Sequence, residues 1–179
     1  MQENHRKIWR VFFSLAVVTI IFHLQMSFFS NLGGFWHYLN LVLCLIILTV
    51  NLFDYSAGLL VGLWLGFLAD IYSNLPFGFF MLVYFSTAMI LALLHHNFFT
   101  NRSMYSLLSL GLIGAVVYNL LFLATSGLFY LLRLSDFFSA RAWLADTIGQ
   151  AITSTLLLLV VFYFINRHTR SFKPIFIQS

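Results

Sequence analysis

The chain has 179 residues, of which 61% are hydrophobic, 19% aromatic and only 8% charged, with a formal net charge of +4. A soluble domain of ordinary make-up is roughly 25% charged. Five acidic residues cannot solvate the surface of a chain this apolar, and its mean hydropathy of +0.95 makes lipid its solvent. The composition excludes a sizeable soluble domain; the scattered basic residues form no stripe for nucleic acid, and the single Cys44 excludes a disulfide framework.

A bilayer core about 30 Å thick needs about 20 apolar residues per helix. That rule predicts six spans, over residues 11–29, 35–53, 55–72, 77–95, 104–126 and 148–166, in a single membrane domain covering 1–179. The runs are continuous, without the alternation of a membrane β-barrel, so the expected fold class is all-α integral membrane, a bundle of six transmembrane helices. The first run follows a basic lead (His5, Arg6, Lys7, Arg10) but exceeds the core of a secretory signal, and no small-residue cleavage site follows it. It reads as a retained span.

Asn31-Leu32-Gly33-Gly34 has turn chemistry. Asp54 and Ser56 mark a very short second connection, and either could cap the third helix. Asn74-Leu75-Pro76 ends that helix, with Pro76 near the first turn of the fourth, where its missing N–H is harmless. A polar loop is expected over 95–103. The fifth apolar run continues to Leu132, a length of about 43 Å, so a tilt or a change of course at Ser126-Gly127 is expected. Beyond it, Leu134, Phe137, Phe138 and Leu144 recur at helical spacing among Arg133, Asp136, Arg141 and Asp146. This predicts an interfacial amphipathic helix over 133–146, either an anchor on the outer leaflet with Trp143 among the headgroups or a docking surface for an extracytoplasmic partner.

With six spans, Arg6, Lys7, Arg10, Arg102, Arg167, Arg170 and Lys173 fall on one side, leaving only Arg133 and Arg141 on the other. The positive-inside rule then places both termini in the cytoplasm.

The most informative stretch is Gly58-x3-Gly62-x3-Gly66-x3-Asp70, followed by Asn74-Leu75-Pro76-Phe77-Gly78. Residues four apart share a helical face, so the three glycines form a groove that lets another backbone approach closely. Asp70 is costly within a span. It either reaches the interface or caps backbone N–H groups of the 74–78 turn, or else it contacts a partner or solute. Asp54 looks like a turn residue. His23, Gln25, Asn40, Asn51, Asn119, Gln150, Thr153, Ser154 and Thr155 suit interhelical hydrogen bonds. His37, His95 and His96 show no metal-ligand spacing. No hydrolase, metalloprotease or phosphate-loop motif occurs, and no paired carboxylates lie close in sequence, so neither an enzyme nor a cofactor or metal site is expected.

The order of spans and the stretch GLLVGLWLGFLADIYSNLPFGFFML resemble the rod shape-determining protein MreD family of bacteria. The family-matching positions are Gly58, Gly62, Gly66, Asp70, Pro76 and Gly78. The resemblance implies a fold similar to the substrate-binding subunits of energy-coupling-factor transporters. It also implies a non-enzymatic scaffold of the cell-elongation machinery in the bacterial inner membrane. Its implied partners are an MreC-like protein, a RodA-type glycosyltransferase with its penicillin-binding transpeptidase, membrane lipid, and MreB filaments on the cytoplasmic side. On this reading the glycine face seats a neighbouring helix, from this chain or from MreC. The alternative is the substrate-binding subunit of a vitamin transporter, although the Ala-x3-Ala surface expected on its first helix is missing: only Ala16 is present, beside Ser14 and Val17-Val18.

Overall fold

The computed structural model describes the backbone of residues 2–28, 38–52, 55–98, 104–133 and 140–168, and side chains over 15–28, 38–52, 55–98, 106–133 and 147–164. Six helices follow in order: α1 (Gln2–Ser27), α2 (Leu41–Leu52), α3 (Tyr55–Tyr72), α4 (Phe79–Phe98), α5 (Met104–Leu131) and α6 (Ala140–His168). Four segments, Tyr55–Tyr72, Phe79–Phe98, Ser106–Leu131 and Thr147–Phe164, are long and apolar enough to cross a membrane. The chain is a helical membrane protein by length and composition. The turn at Asn31-Leu32-Gly33-Gly34, Asp54, the polar residues 99–103, and the side chains of Asp136, Arg141, Trp143 and Asp146 lie outside the described residues.

Hydrogen bonds and close approaches fix how the helices run. Trp64 meets Thr19 and Tyr72 meets His23, so α1 and α3 are parallel. Gly66 lies against Met81 and Gly62 against Ala88, making α3 and α4 antiparallel. Asn119 pairs with Gln150, and Gly111 abuts Leu158, which makes α5 and α6 antiparallel too. Odd and even helices therefore run in opposite directions, and the start of α1 and the end of α6 share one end of the bundle, here the terminal end.

The short helix α2 sits at the centre and touches all five others. Its Val42, Leu43, Ile46, Ile47 and Val50 are buried. An aromatic cluster ties α4 to α5: the Phe79 ring lies 5.2 Å from Phe122 and 5.5 Å from Phe129. Tyr84 stacks on Tyr118 at 5.2 Å.

Three features differ from the sequence expectations. First, α2 begins at Leu41 rather than Phe35: residues 38–40 are not α-helical, and the Asn40 Oδ1 accepts the N–H of Leu43 as an N-cap. With 12 residues, α2 covers only about 18 Å. Second, α5 does not turn at Ser126-Gly127 but continues to Leu131, ending where Arg133 adopts φ 56°. Third, residues 140–146 do not form a separate interfacial helix; they are the first turns of α6.

These lengths shape the far end of the bundle. Val50 of α2 abuts Gly58 and Asn51 reaches Ser106, so α3 and α5 start at the same level. From there α3 runs for 18 residues and α5 for 28. The longer α5 nonetheless ends beside the α3–α4 turn, because Phe129, two residues before its end, packs on Phe79, the first residue of α4, and α6 runs beside it.

Candidate functional site

The glycine ladder is occupied from within the chain. A Cβ added at Gly66 would lie 2.5 Å from the Met81 Cα and 2.9 Å from the Phe80 carbonyl oxygen, both backbone atoms of α4. One at Gly62 would lie 2.7 Å from the Ala88 Cβ and 3.1 Å from the Tyr84 carbonyl oxygen. Gly58 faces α2, with the Val50 Cγ2 at 2.6 Å. The approach tightens toward the far end because α3 and α4 are joined there by a turn only six residues long, 73–78. The helix seated on Gly62 and Gly66 is α4, and that on Gly58 is α2.

Asp70 closes this hairpin. It lies in the last turn of α3 and is only 4% exposed. Its Oδ1 accepts the N–H of Phe80 at 2.7 Å, and its Oδ2 accepts the N–H groups of Gly78 at 3.0 Å and Met81 at 3.1 Å. The N–H of Phe79 goes instead to the Pro76 carbonyl at 3.2 Å. A helix start leaves four backbone donors without intrahelical partners. Here all four are satisfied, three by a carboxylate eight to eleven residues back in the chain. The positive end of the α4 dipole faces the same carboxylate, which offsets the cost of placing it within a bundle. Gly78 occupies the N-cap position, where it has no side chain to cap with and a φ of +97° that disfavours any other residue. Pro76, Gly78 and Asp70 thus form one turn-and-cap unit.

A second polar assembly surrounds the tip of α2. The Gln25 Oε1, from α1, accepts the N–H of Val42 at 3.0 Å. The Asn40 side chain caps α2, and behind it the Tyr118 hydroxyl donates to that of Tyr84 at 3.5 Å. Thr153 on α6 donates to the Tyr38 carbonyl at 3.0 Å, and Gly149 leaves room for the Tyr38 ring, whose Cγ stands 2.7 Å from where a Cβ would be. Asn119 donates to the Gln150 Oε1 at 2.9 Å. Non-helical backbone at membrane depth is tolerated only where protein satisfies it or water reaches it; here α1 and α6 supply the partners for 38–42. The Gln150 Nε2 is buried and, among the described residues, has no acceptor. The sequence marks Gln25, Asn40, Asn119, Gln150 and Thr153 singly and not as an assembly, and does not mark Tyr38, Tyr84 or Tyr118. The Asn40 cap before an apolar run was the signal that could have located the α2 tip.

A third polar link lies on α1. Trp64 Nε1 donates to the Thr19 Oγ1 at 2.9 Å. The His23 Nδ1 lies 2.8 Å from the Thr19 carbonyl, which can only accept, so in the neutral ring Nε2 accepts the Tyr72 hydroxyl at 2.8 Å.

No family model, curated protein or solved structure matches this chain.

Proposed function

We propose that this chain is a non-enzymatic membrane scaffold of the MreD type. It spans the bacterial inner membrane six times with both termini in the cytoplasm, in a bundle similar to the substrate-binding subunits of energy-coupling-factor transporters. It supports cell shape and peripheral peptidoglycan synthesis by presenting packing surfaces to an MreC-like protein and the RodA–transpeptidase synthase, with MreB filaments on the cytoplasmic side. It takes no cofactor. The observation that carries this reading is the apolar surface at the end of α5. There Leu128, Tyr130, Leu131 and Leu132, each about half exposed or more, offer contact to an extracytoplasmic partner.

The ladder is filled from within the chain, Gly62 and Gly66 by α4 and Gly58 by α2, so on this reading the partner surface lies at the end of α5 and not along the ladder. Depletion in the source organism should round the cells and mislocalise wall synthesis. Leu128→Glu with Leu131→Glu, made at normal levels, should fail to restore rod shape and should lower recovery of the MreC-like protein. Unchanged shape on depletion would overturn the reading.

The polar ring at the α2 tip favours a second reading, a vitamin-binding subunit, because the Gln150 Nε2 is a buried donor facing no acceptor among the described residues. Stoichiometric co-purification of a small molecule, lost in Gln150→Leu, would select it, as would a vitamin requirement on depletion.

A further inference from the structure

The ring of helices around α2 is open on one side. Among the described residues, α1 approaches only α2 and α3, and α6 approaches only α2 and α5, whereas α3, α4, α5 and α6 each lie against the next. The break falls between α1 and α6, with α2 as its floor. Burial on α2 shows which residues face it. Seven of its 12 residues are buried, and those left partly exposed are Leu41, Leu45, Leu48 and Leu52 with the adjoining Thr49. On a helical wheel the four leucines fall within about 60° of arc. Val50, about 170° from the middle of that stripe, meets Gly58 of α3. Cys44, about 70° from it, donates to the Ser154 carbonyl of α6 at 3.7 Å. The leucine stripe therefore looks out between α6 and α1.

On α1, Val18 and Phe22 are buried and Gln25 holds the Val42 N–H, so that face meets α2. Thr19 and His23, about 100° to one side of it, meet Trp64 and Tyr72 of α3. About 100° to the other side lie Val17, Ile21 and Leu24, continued by Phe28 just past the helix end, at the same four-three-four spacing as the leucines. Val17, Leu24 and Phe28 are between 39% and 58% exposed. This apolar ridge borders the opening.

Helix axes pack about 8–10 Å apart, which leaves room for about six helices around one. Five surround α2. The vacancy is one helix wide, and four-three-four spacing is the seam on which helices interdigitate. Each copy of the chain brings both parts, a leucine trough and, on the adjoining helix, an uncovered ridge. A twofold axis along the bundle lets two copies fill both troughs at once. The α1 of each then lies on the α2 of the other, and the two α1 helices run side by side in parallel. We propose that this surface is the contact between two copies of this chain, a dimer with two α1 and two α2 helices at its centre. The contact lies apart from the exposed end of α5 and does not rest on the scaffold reading.

The test begins with the full-length protein in its native membranes. In a Cys44→Ser background, Leu24→Cys should give a disulfide-linked dimer under mild oxidation. Ile71→Cys should not: it lies at the same depth, beside the Tyr72–His23 pair, on the exposed side of α3. Native mass spectrometry of the purified protein should show a dimer. Replacing Val17, Leu24 and Phe28 together by Ala removes the ridge and keeps helix propensity; it should raise the dimer dissociation constant about tenfold or more. Leu45→Ala with Leu48→Ala attacks the trough from the other side and should act in the same direction. Unchanged helix content by circular dichroism shows that each variant is folded. A monomer at every protein concentration, a monomer carrying lipid in place of the second copy, or a dimer unaffected by the folded variants would overturn the proposal. So would equal cross-linking of Leu24→Cys and Ile71→Cys, or cross-linking of Leu24→Cys only to a different protein. A monomer that still supports rod shape removes this proposal and leaves the scaffold reading standing; a dimer whose depletion leaves shape unchanged does the reverse.

Discussion

At the α3–α4 hairpin, the donors left over by a helix start converge on one carboxylate from the preceding helix, and the two backbones are close enough to exclude a Cβ at Gly66. At the tip of α2, the same kind of donors go to two neutral oxygens, Gln25 Oε1 from α1 and Asn40 Oδ1 from the residue just before α2. The first arrangement is charge-assisted, with three backbone donors sharing one buried carboxylate. The second gives each backbone donor its own neutral amide oxygen. The contrast indicates that one region fixes the fold while the other can tolerate adjustment.

Substitutions can break or sharpen that contrast, and the largest effect is expected at Asp70. Asp70→Ala leaves three N–H groups without an acceptor and should cost roughly 3 kcal/mol or more. Asp70→Asn keeps one acceptor oxygen and should retain part of the stability. Thermal melts in detergent should show a fall in Tm or loss of the folded species for the first and an intermediate value for the second.

The next effect belongs to the ladder. Gly66→Ala drives a methyl into α4 backbone and should cost about 1–3 kcal/mol by overpacking. Gly58→Ala meets only the end of the Val50 side chain and should cost less, with Gly62→Ala between them. If Gly66→Ala and Gly62→Ala melt alike, the graded approach of α3 to α4 is wrong.

Gly78→Ala separates space from conformation. Nothing lies within 4 Å of the added methyl, yet φ is +97°, so the cost is conformational, about 1–2 kcal/mol. It should resemble the other glycine substitutions in Tm but leave the α3–α4 spacing unchanged when measured by spin labels.

The smallest effect is expected in the polar ring. Asn119→Ala should cost about 0.6 kcal/mol, and no more than about 1.7. Replacing Asn119 and Gln150 together by Leu should be close to neutral, because both members of the buried pair go at once. A double-mutant cycle on melting temperature checks this; a loss as large as that of Asp70→Ala would erase the distinction between the two regions.

The hairpin was legible because its signals lie on one helix and its turn. Spacing of four puts Gly58, Gly62 and Gly66 on a face, and an aspartate before a short turn is a natural cap. The α2 tip was not legible in the same way, because Thr153 reaches Tyr38 across 115 residues and Gln25 reaches Val42 across 17, and no local pattern encodes either pairing. The expectation of a continuous span over 35–53 also hid the Asn40 cap, since hydropathy averages over a window and does not register one polar residue inside it.

By itself, the sequence determined that this protein lives in lipid, that its helices are apolar along most of their length, and that α3 can be approached closely on one side. Those properties follow from local composition and helical period, which need no knowledge of neighbours. Only the tertiary structure decided that α4 packs on Gly62 and Gly66 and α2 on Gly58, that α2 is a short central helix touching all five others, and that the end of α5 lies beside the start of α4. Each of these is a matter of register between helices. In a membrane, where every face is apolar, register is set by a few close approaches and hydrogen bonds between distant residues.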